Sequence, residues 1–164
     1  MLENSRCMLE MNILIMTACG AKKDPRPMPA YKLYKSTRIK AVFNRRSGCD
    51  MAILSAEYGL VRAQKVIEPY KRVMDEQRAK ELVPSVAQNL KEYNCTIFFK
   101  GGARKAYTSC IKAACENAGR TLVTLGYANM GGINDLPKVI EFVRQNRWVE
   151  IQKIGHAEIY NYKF

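Results

Sequence analysis

Residues 12–24 read NILIMTACGAKKD, an apolar run that stops at Cys19-Gly20 and is followed at once by charged side chains. The run has the length and composition of a buried β-strand, and the glycine predicts a turn at its end. In open α/β sheets, ligands bind at the carboxyl ends of such strands. We therefore expect the loop after this strand to open onto a ligand site.

The rest of the chain alternates between apolar strands and amphipathic helices. Further strands are predicted at residues 50–55, 95–99 and 121–125. Helices are predicted from residue 33 or 36 to 46, at about 75–93 and 105–118, and from residue 134 or 135 to about 146, with Pro84 kinking or splitting the second. This alternation predicts a three-layer α/β/α domain with a mostly parallel four-stranded sheet. The tail, residues 147–164, alternates around Gly155 and predicts a hairpin.

Length and composition predict one domain in the cytoplasm. The 164 residues contain no repeat or long linker, and residues 1–11, which lack a signal-peptide pattern, are predicted to be a disordered leader. No apolar run approaches the roughly 20 residues of a membrane span, so no membrane partner is expected. Six cysteines without a CxxC pair and a single histidine favour reduced thiols over a metal site, and no cofactor is predicted.

The charge is strongly basic. The formal net charge is +12, from 27 Lys+Arg against 15 Asp+Glu, and nine basic residues but one acid lie between Gly20 and Arg46. A surplus of this size favours a polyanionic partner, with nucleic acid ahead of membrane. DNA is the expected partner, RNA stays open, and the sequence leaves the oligomeric state undetermined.

Four loops leave the carboxyl ends of the four predicted strands and should share one edge of the sheet. Gly101-Gly102, in the third loop, can offer backbone N–H groups to an anion, or can simply form a tight turn. Neither a Walker loop nor a dinucleotide-binding glycine motif is present in the sequence. Two prolines near Asp24, at 25 and 27, together with Pro29, predict an extended loop without helix or strand.

Four motifs in order resemble a known group of domains. They are CGAKK at 19–23, LYKS at 33–36, ILSAEYGLV at 53–61 and VIEPY at 66–70. Together they look like small bacterial and phage domains that read C-S-K-K…LYTG…ILSAKYGL…PYD, over roughly residues 13–107. The arrangement is also similar to the base-acting domain of archaeosine synthase, which is related to the uracil-DNA glycosylase-like superfamily. That resemblance implies a base or nucleoside bound at the sheet edge and chemistry at an N-glycosidic bond or a modified base.

The match to uracil-DNA glycosylases themselves is incomplete. Their first loop carries Gly-Gln-Asp-Pro-Tyr, of which this chain has only Asp24-Pro25. Their His-Pro-Ser motif is replaced here by GYAN at residues 126–129. The departures favour a modified base, such as a hypermodified phage base, over uracil.

Glycosidic cleavage requires a group that stabilises a cationic sugar or attacks it. Asp24 is the first candidate carboxylate, with an Asx turn as its structural alternative, and Glu68 is the second, with a surface ion pair as its alternative. Lys23 can contact phosphate or attack the sugar as an amine. The residues expected to bind base or nucleic acid are Cys19, Gly20, Lys22, Tyr34, Ser36, Ser55, Tyr58, Gly59, Tyr70, Lys100, Gly101, Gly102, Arg104 and Asn129.

The resemblance and the basic charge together thus predict a DNA glycosylase-like hydrolase that removes a modified base, and the resemblance implies a role in phage defence. Two alternatives stay open. One is a non-catalytic module that binds nucleic acid or nucleotides. The other is a small-molecule nucleosidase or phosphoribosyl-type enzyme in which GGARK, residues 101–105, holds a phosphate.

Overall fold

The computed structural model describes residues 11–163, so the predicted leader lies, apart from Met11, outside the described residues. The strands are β1 Ile13–Ala18, β2 Met28–Pro29, β3 Asp50–Ser55, β4 Gly59–Arg62, β5 Val66–Ile67, β6 Cys95–Phe99, β7 Thr121–Leu125 and β8 Glu158–Asn161. The helices are α1 Ala30–Leu33, α2 Thr37–Asn44, α3 Glu76–Leu90, α4 Lys105–Ala118, α5 Leu136–Arg144 and α6 Trp148–Gln152. A 3₁₀ turn, Ile133–Asp135, precedes α5.

The centre of the molecule is a sheet in the order β4-β3-β1-β6-β7-β8. The four predicted strands are all present and mutually parallel, and the side chains of β1, β6 and β7 are buried along their whole length. The prediction of four strands was too low, because β4 pairs antiparallel with β3 and β8 antiparallel with β7. The sheet is therefore mixed, with an antiparallel strand at each edge.

The strand order reverses beside β1. From β1 the chain passes to β3 on one side, and after β3 it crosses back to β6 on the other side of β1. Because parallel crossovers are right-handed, this reversal puts α2 and α3 on opposite faces of the sheet. The carboxyl ends of β1 and β6 then diverge into a crevice, the place where doubly wound sheets bind ligands.

The first predicted helix begins at the later of its two predicted starts: Ser36 caps α2, its Oγ accepting from Ile39 N at 3.2 Å, and the short helix α1 ends before Tyr34, which is extended. Two local predictions were wrong. The proline-rich loop contains β2, which pairs antiparallel with β5. The tail is no hairpin: α6 comes first, and β8 pairs with β7 instead.

The other helices agree with the sequence more closely. Asp75 caps α3, accepting from Arg78 N at 2.7 Å, and α3 continues through Pro84 as one helix. Gly119 ends α4 in the left-handed conformation. None of the helices in the described part of the chain is long and apolar enough to cross a membrane.

Candidate functional site

A cavity of about 420 Å³ lies at the crevice between the carboxyl ends of β1 and β6, and we call it the switch-point cavity. Loops after β1, β5 and β6 and the first turn of α4 enclose it. Its lining residues are Cys19, Gly20, Ala21, Lys23, Arg38, Tyr70, Lys71, Arg72, Val73, Gly102, Ala103, Arg104 and Tyr107. The volume falls in the range of pockets that hold small organic ligands.

The lining of the switch-point cavity is basic and contains no carboxylate. Five of the lining side chains are lysine or arginine, and none is aspartate or glutamate. Among residues 11–163, only Arg72 of these five forms an ion pair, with Glu81 at 3.5 Å. Such a cavity attracts an anion and lacks the oxygen ligands that a hard cation requires.

Cys19 closes the bottom of the cavity. Its backbone N–H donates to Leu54 O at 3.0 Å, which fixes the end of β1 against β3. Its Sγ lies 2.9 Å from the hydroxyl of Tyr107, at the start of α4, and its side chain is buried. Helical side chains lean toward the helix N-terminus, which explains why Tyr107 reaches the sheet edge.

Lys23 lies across the cavity from α4. Its Nζ is 4.3 Å from the centroid of the Tyr70 ring and donates to Ala21 O at 3.1 Å. The backbone of Lys23 forms a bridge with that of Tyr34, so the first loop is held along the start of α2. Within residues 11–163, no carboxylate oxygen lies within 4.0 Å of this amine. Lys23 is thus a half-buried amine held against an aromatic face.

A hydrogen-bonded cluster supports Tyr70 from behind. Ser55 Oγ accepts from the backbone N–H groups of Glu57 and Tyr58, at 3.1 and 3.0 Å, and donates to the Tyr70 hydroxyl at 2.8 Å. The Tyr70 hydroxyl also lies 2.6 Å from that of Tyr34, which is fully buried. The cluster fixes the Tyr70 ring at the cavity wall.

The phenols of this region stay protonated at neutral pH. Burial, with a contribution from nearby Cys19, raises the pKa of Tyr34 to about 12. The pKa values of Tyr70 and Tyr107 are also raised well above the ordinary value of tyrosine. Burial is the main cause, and the Cys19 sulfur is the second. The cavity therefore presents neutral O–H groups, which can donate to a developing negative charge.

Arg38 joins the first and third loops. Its guanidinium donates to Thr17 Oγ1 at 3.1 Å and to Ala18 O at 2.7 Å. Gly101, at φ 50°, packs so tightly on this side chain that a Cβ there would lie 2.7 Å from Arg38 Cδ. Burial lowers the pKa of Arg38, but guanidinium stays charged over the physiological range.

Asp24 does not line the switch-point cavity. Its Oδ1 accepts from the backbone N–H of Arg26 at 2.9 Å and from Arg26 Nε at 3.1 Å. These bonds form an Asx turn in the proline-rich loop and lower the pKa of the carboxyl. The Asx turn, which is the structural alternative to a catalytic role for Asp24, is therefore present.

Glu68 also lies outside the switch-point cavity. It is exposed and lines a separate depression of about 290 Å³ with Tyr58, whose hydroxyl donates to the Glu68 carbonyl at 3.1 Å. The ion pair expected for Glu68 with a neighbouring basic residue is not observed among residues 11–163, since Arg72 pairs with Glu81.

The remaining predicted site residues divide into three groups. Cys19, Gly20, Lys23, Tyr70, Gly102 and Arg104 line the switch-point cavity. Tyr34 and Ser55 lie behind it, and Gly101 packs against Arg38 at its edge. The others lie away from the lining. Lys22 is exposed, Ser36 caps α2, and Tyr58 and Gly59 lie at the start of β4. Lys100 lines a neighbouring depression, and Asn129 is exposed after β7.

Seven lining residues are absent from the predicted site: Ala21, Arg38, Lys71, Arg72, Val73, Ala103 and Tyr107. Tyr107 lies on the buried face of α4, and its hydroxyl also reaches the cavity. The EPYKR stretch carried a usable signal, because Lys71 and Arg72 directly follow Tyr70.

The single histidine has a different environment. His156 Nδ1 accepts from Gly126 N at 2.9 Å, and its Nε2 lies 2.9 Å from Asp135 Oδ2. Both ring nitrogens are therefore engaged in holding the loop after β7. No group of three potential metal-ligating side chains occurs within the described residues.

Comparison with known proteins gives one match. Residues 14–130 match the model of a family of unknown function, DUF6884. No curated protein and no solved structure matches the chain significantly. The matched segment runs from β1 past β7 and includes every residue that lines the switch-point cavity. The chain therefore belongs to the DUF6884 family, whose function is unknown.

Proposed function

We propose that the chain is a DNA glycosylase-like enzyme that cleaves the N-glycosidic bond of a modified base. The observation that carries the proposal is the switch-point cavity, which is basic, partly aromatic and free of carboxylates. A nucleotide extruded from DNA offers a π-face for Tyr70 and phosphates for the surrounding lysines and arginines. A uracil-DNA glycosylase-like fold, a cytoplasmic location and a role in phage defence belong to the same proposal.

Lys23 is the preferred nucleophile, because it lines the cavity whereas Asp24 and Glu68 do not. After its ammonium group gives a proton to water, the amine attacks C1′ as the bond from C1′ to the base breaks, and the bonding electrons leave with the base. Tyr107 lines the cavity and its raised pKa keeps its hydroxyl protonated at neutral pH, which supports a role for it as the donor to that developing anion. Opening of the sugar ring gives a Schiff base, and water hydrolyses it to free Lys23 and an abasic site.

The first experiment asks whether a base is released. The protein is incubated with unmodified DNA and with phage DNAs that carry modified bases, and the products are analysed by mass spectrometry and alkaline strand cleavage. We expect free base and alkali-labile breaks with at least one modified DNA. Absence of both from every DNA would refute the glycosylase proposal and leave a binding module.

The second experiment separates the two candidate catalytic groups. Sodium cyanoborohydride should trap a covalent complex of the wild-type protein with the DNA that it cleaves. Lys23→Arg keeps the positive charge but has no primary amine, so we expect base release to fall by at least about a hundredfold and the complex to disappear. If Asp24→Asn abolishes release and Lys23→Arg does not, the carboxylate mechanism replaces the amine mechanism.

A small-molecule nucleosidase or phosphoribosyl-type enzyme is the second candidate. The size of the cavity favours it, since about 420 Å³ accommodates one nucleotide without its neighbours. Gly102 and Arg104 lie just before α4, where backbone N–H groups and a positive charge can hold one phosphate. Calorimetric titration with free nucleotides distinguishes the two: tight binding of a mononucleotide without salt-sensitive DNA binding would favour this candidate.

A further inference from the structure

A second basic depression adjoins the switch-point cavity, and we call it the α4 depression. It has a volume of about 400 Å³ and lies on the other side of the loop that leads from β6 to α4. Its lining residues are Lys100, Gly101, Ala103, Lys105, Thr108, Ser109, Lys112, Gly126 and Tyr127. Ala103 lines both cavities, so a ligand that leaves one can pass directly over this loop into the other.

The lining of the α4 depression is also basic. It contains three lysines and no acidic residue. The acid that faces it is Glu158, on β8, which lies 3.9 Å from Lys100 Nζ and accepts from the Tyr160 hydroxyl at 2.9 Å. Lys112 Nζ lies 4.6 Å from the centroid of the Tyr160 ring. Lys105 forms no ion pair within residues 11–163 and is exposed.

The polar groups of α4 form a stripe along one helix face. Lys105, Thr108, Ser109 and Lys112 follow the spacing of residues that share a face, and the stripe extends for roughly 10 Å at 1.5 Å of rise per residue. That length is enough to contact two successive phosphates of one strand. A polyanionic strand fits this spacing better than a single compact anion does.

Tyr127 provides an aromatic surface at the end of the depression. Tyr127 is 57% exposed, so a ligand can reach its ring. The ring is held by the turn in which Tyr127 N donates to Gly131 O at 3.0 Å and by an edge contact with His156 at 5.3 Å between centroids. Exposed aromatic rings beside basic grooves are typical of sites that bind unstacked bases.

We propose that the α4 depression binds the single-stranded DNA next to the target nucleotide. Lys105 and Lys112 contact its phosphates, and the adjoining base stacks on Tyr127. The inference rests on the proposed action on DNA, because it places the target nucleotide in the switch-point cavity. The strand then continues over the loop of Gly101 to Arg104.

The first test measures binding of a short fluorescein-labelled oligothymidylate by fluorescence anisotropy over a range of salt concentrations. In Lys105→Glu/Lys112→Glu we expect Kd to rise roughly tenfold or more near 0.1 M salt, and the salt slope to lose about 1.4, the value for two single-strand phosphates. The matched control is Lys40→Glu/Lys80→Glu. Lys40 and Lys80 are exposed and lie outside both cavities, and the control likewise lowers the net charge from +12 to +8.

The second test concerns Tyr127. Tyr127→Phe keeps the ring and should bind the oligonucleotide like the wild type, whereas Tyr127→Ala should bind it several-fold more weakly with an unchanged salt slope. Equal affinities of the alanine and phenylalanine variants would overturn the stacking part of the proposal. Circular dichroism melting checks that both variants are folded.

The outcomes separate this inference from the proposed function. If the wild type binds the oligonucleotide but both charge-reversal variants lose the same affinity and slope, the α4 depression is not the strand site. If the α4 variant alone loses affinity and no base is ever released, the strand site stands and the glycosylase proposal fails. If the wild type does not bind the oligonucleotide, the strand site is overturned, and the base-release experiment alone decides the glycosylase proposal.

Discussion

The two ends of the parallel strands differ in how their charges are balanced. At the amino end, Asp50 accepts a hydrogen bond from the Tyr93 hydroxyl at 2.7 Å and pairs with Arg62 at 3.2 Å. Arg62 also lies 3.8 Å from Glu92, while Asn12 bonds to the chain around the end of α3. Each charge of this group has a partner of opposite sign.

At the carboxyl end, most of the basic residues have no such partner: of those that line the two cavities, only Arg72 and Lys100 form ion pairs within residues 11–163. Eight lysines and arginines line the two cavities, five in one and three in the other, and no carboxylate lines either. Like charges held close together oppose folding, so such a cluster persists where a ligand of opposite charge compensates it. The amino end therefore contributes to stability, whereas the carboxyl end carries positive charge that an anionic ligand can compensate.

The largest expected effect tests this division at the carboxyl end. Lys71→Glu/Arg104→Glu reverses two exposed charges of the switch-point cavity, so we expect DNA affinity to fall by roughly a hundredfold at low salt. The free energy of unfolding in urea should stay within about 0.5 kcal/mol of the wild type, because neither side chain is buried. A loss of stability as large as the loss of binding energy would show that these charges are structural.

The next effect lies at the amino end. Asp50→Asn and Tyr93→Phe each remove part of a hydrogen-bonded group, and we expect each to lower the free energy of unfolding by about 1 kcal/mol. DNA affinity should not change, since this group lies at the opposite end of the strands. Urea denaturation and anisotropy measure the two quantities on the same samples, and weaker DNA binding in either variant would contradict the comparison.

The smallest effect concerns Asp135, a carboxylate near the carboxyl end that does have a partner. Its hydrogen bond to His156 lowers its pKa below 3.8, so its contribution to stability is present above that pH and is lost as pH falls through the lowered value. Asp135→Asn should therefore cost about 0.5 kcal/mol at pH 7, the scale of an exposed pair. Urea denaturation at pH 7 and near pH 3 should show the difference shrinking in acid; a constant difference would argue against the linkage.

The parallel core of the sheet could be predicted from the sequence, because strands buried on both faces read as continuous apolar runs. The edge strands could not. The residues of β8 are exposed or half-buried, and β8 pairs with β7, which lies more than thirty residues earlier. Nothing local distinguishes such a strand from one arm of a hairpin.

The position of the candidate site could be predicted from the sequence, but only some of its side chains could. Glycine turns after buried strands correctly located the cavity. The role of the Asp24 carboxylate depends on Arg26, two residues later, because the backbone N–H and the side chain of Arg26 both donate to it. Arg38 and Tyr107 reach the cavity because of the rotation of α2 and α4 about their axes, which a hydrophobic pattern determines only approximately.

The small ribbon of β2 and β5 has a consequence for the motions of the site. It joins the segment after Lys23 to the segment before Tyr70, with Ala30 N donating to Lys65 O at 2.8 Å and Tyr31 N to Ala63 O at 2.9 Å. The two segments should therefore open together, as one unit in native-state amide hydrogen exchange. The loop from β6 to α4 is outside that ribbon and should exchange on its own. Lys23 and Tyr70 would then move as one body, and entry to the cavity would be controlled from the α4 side.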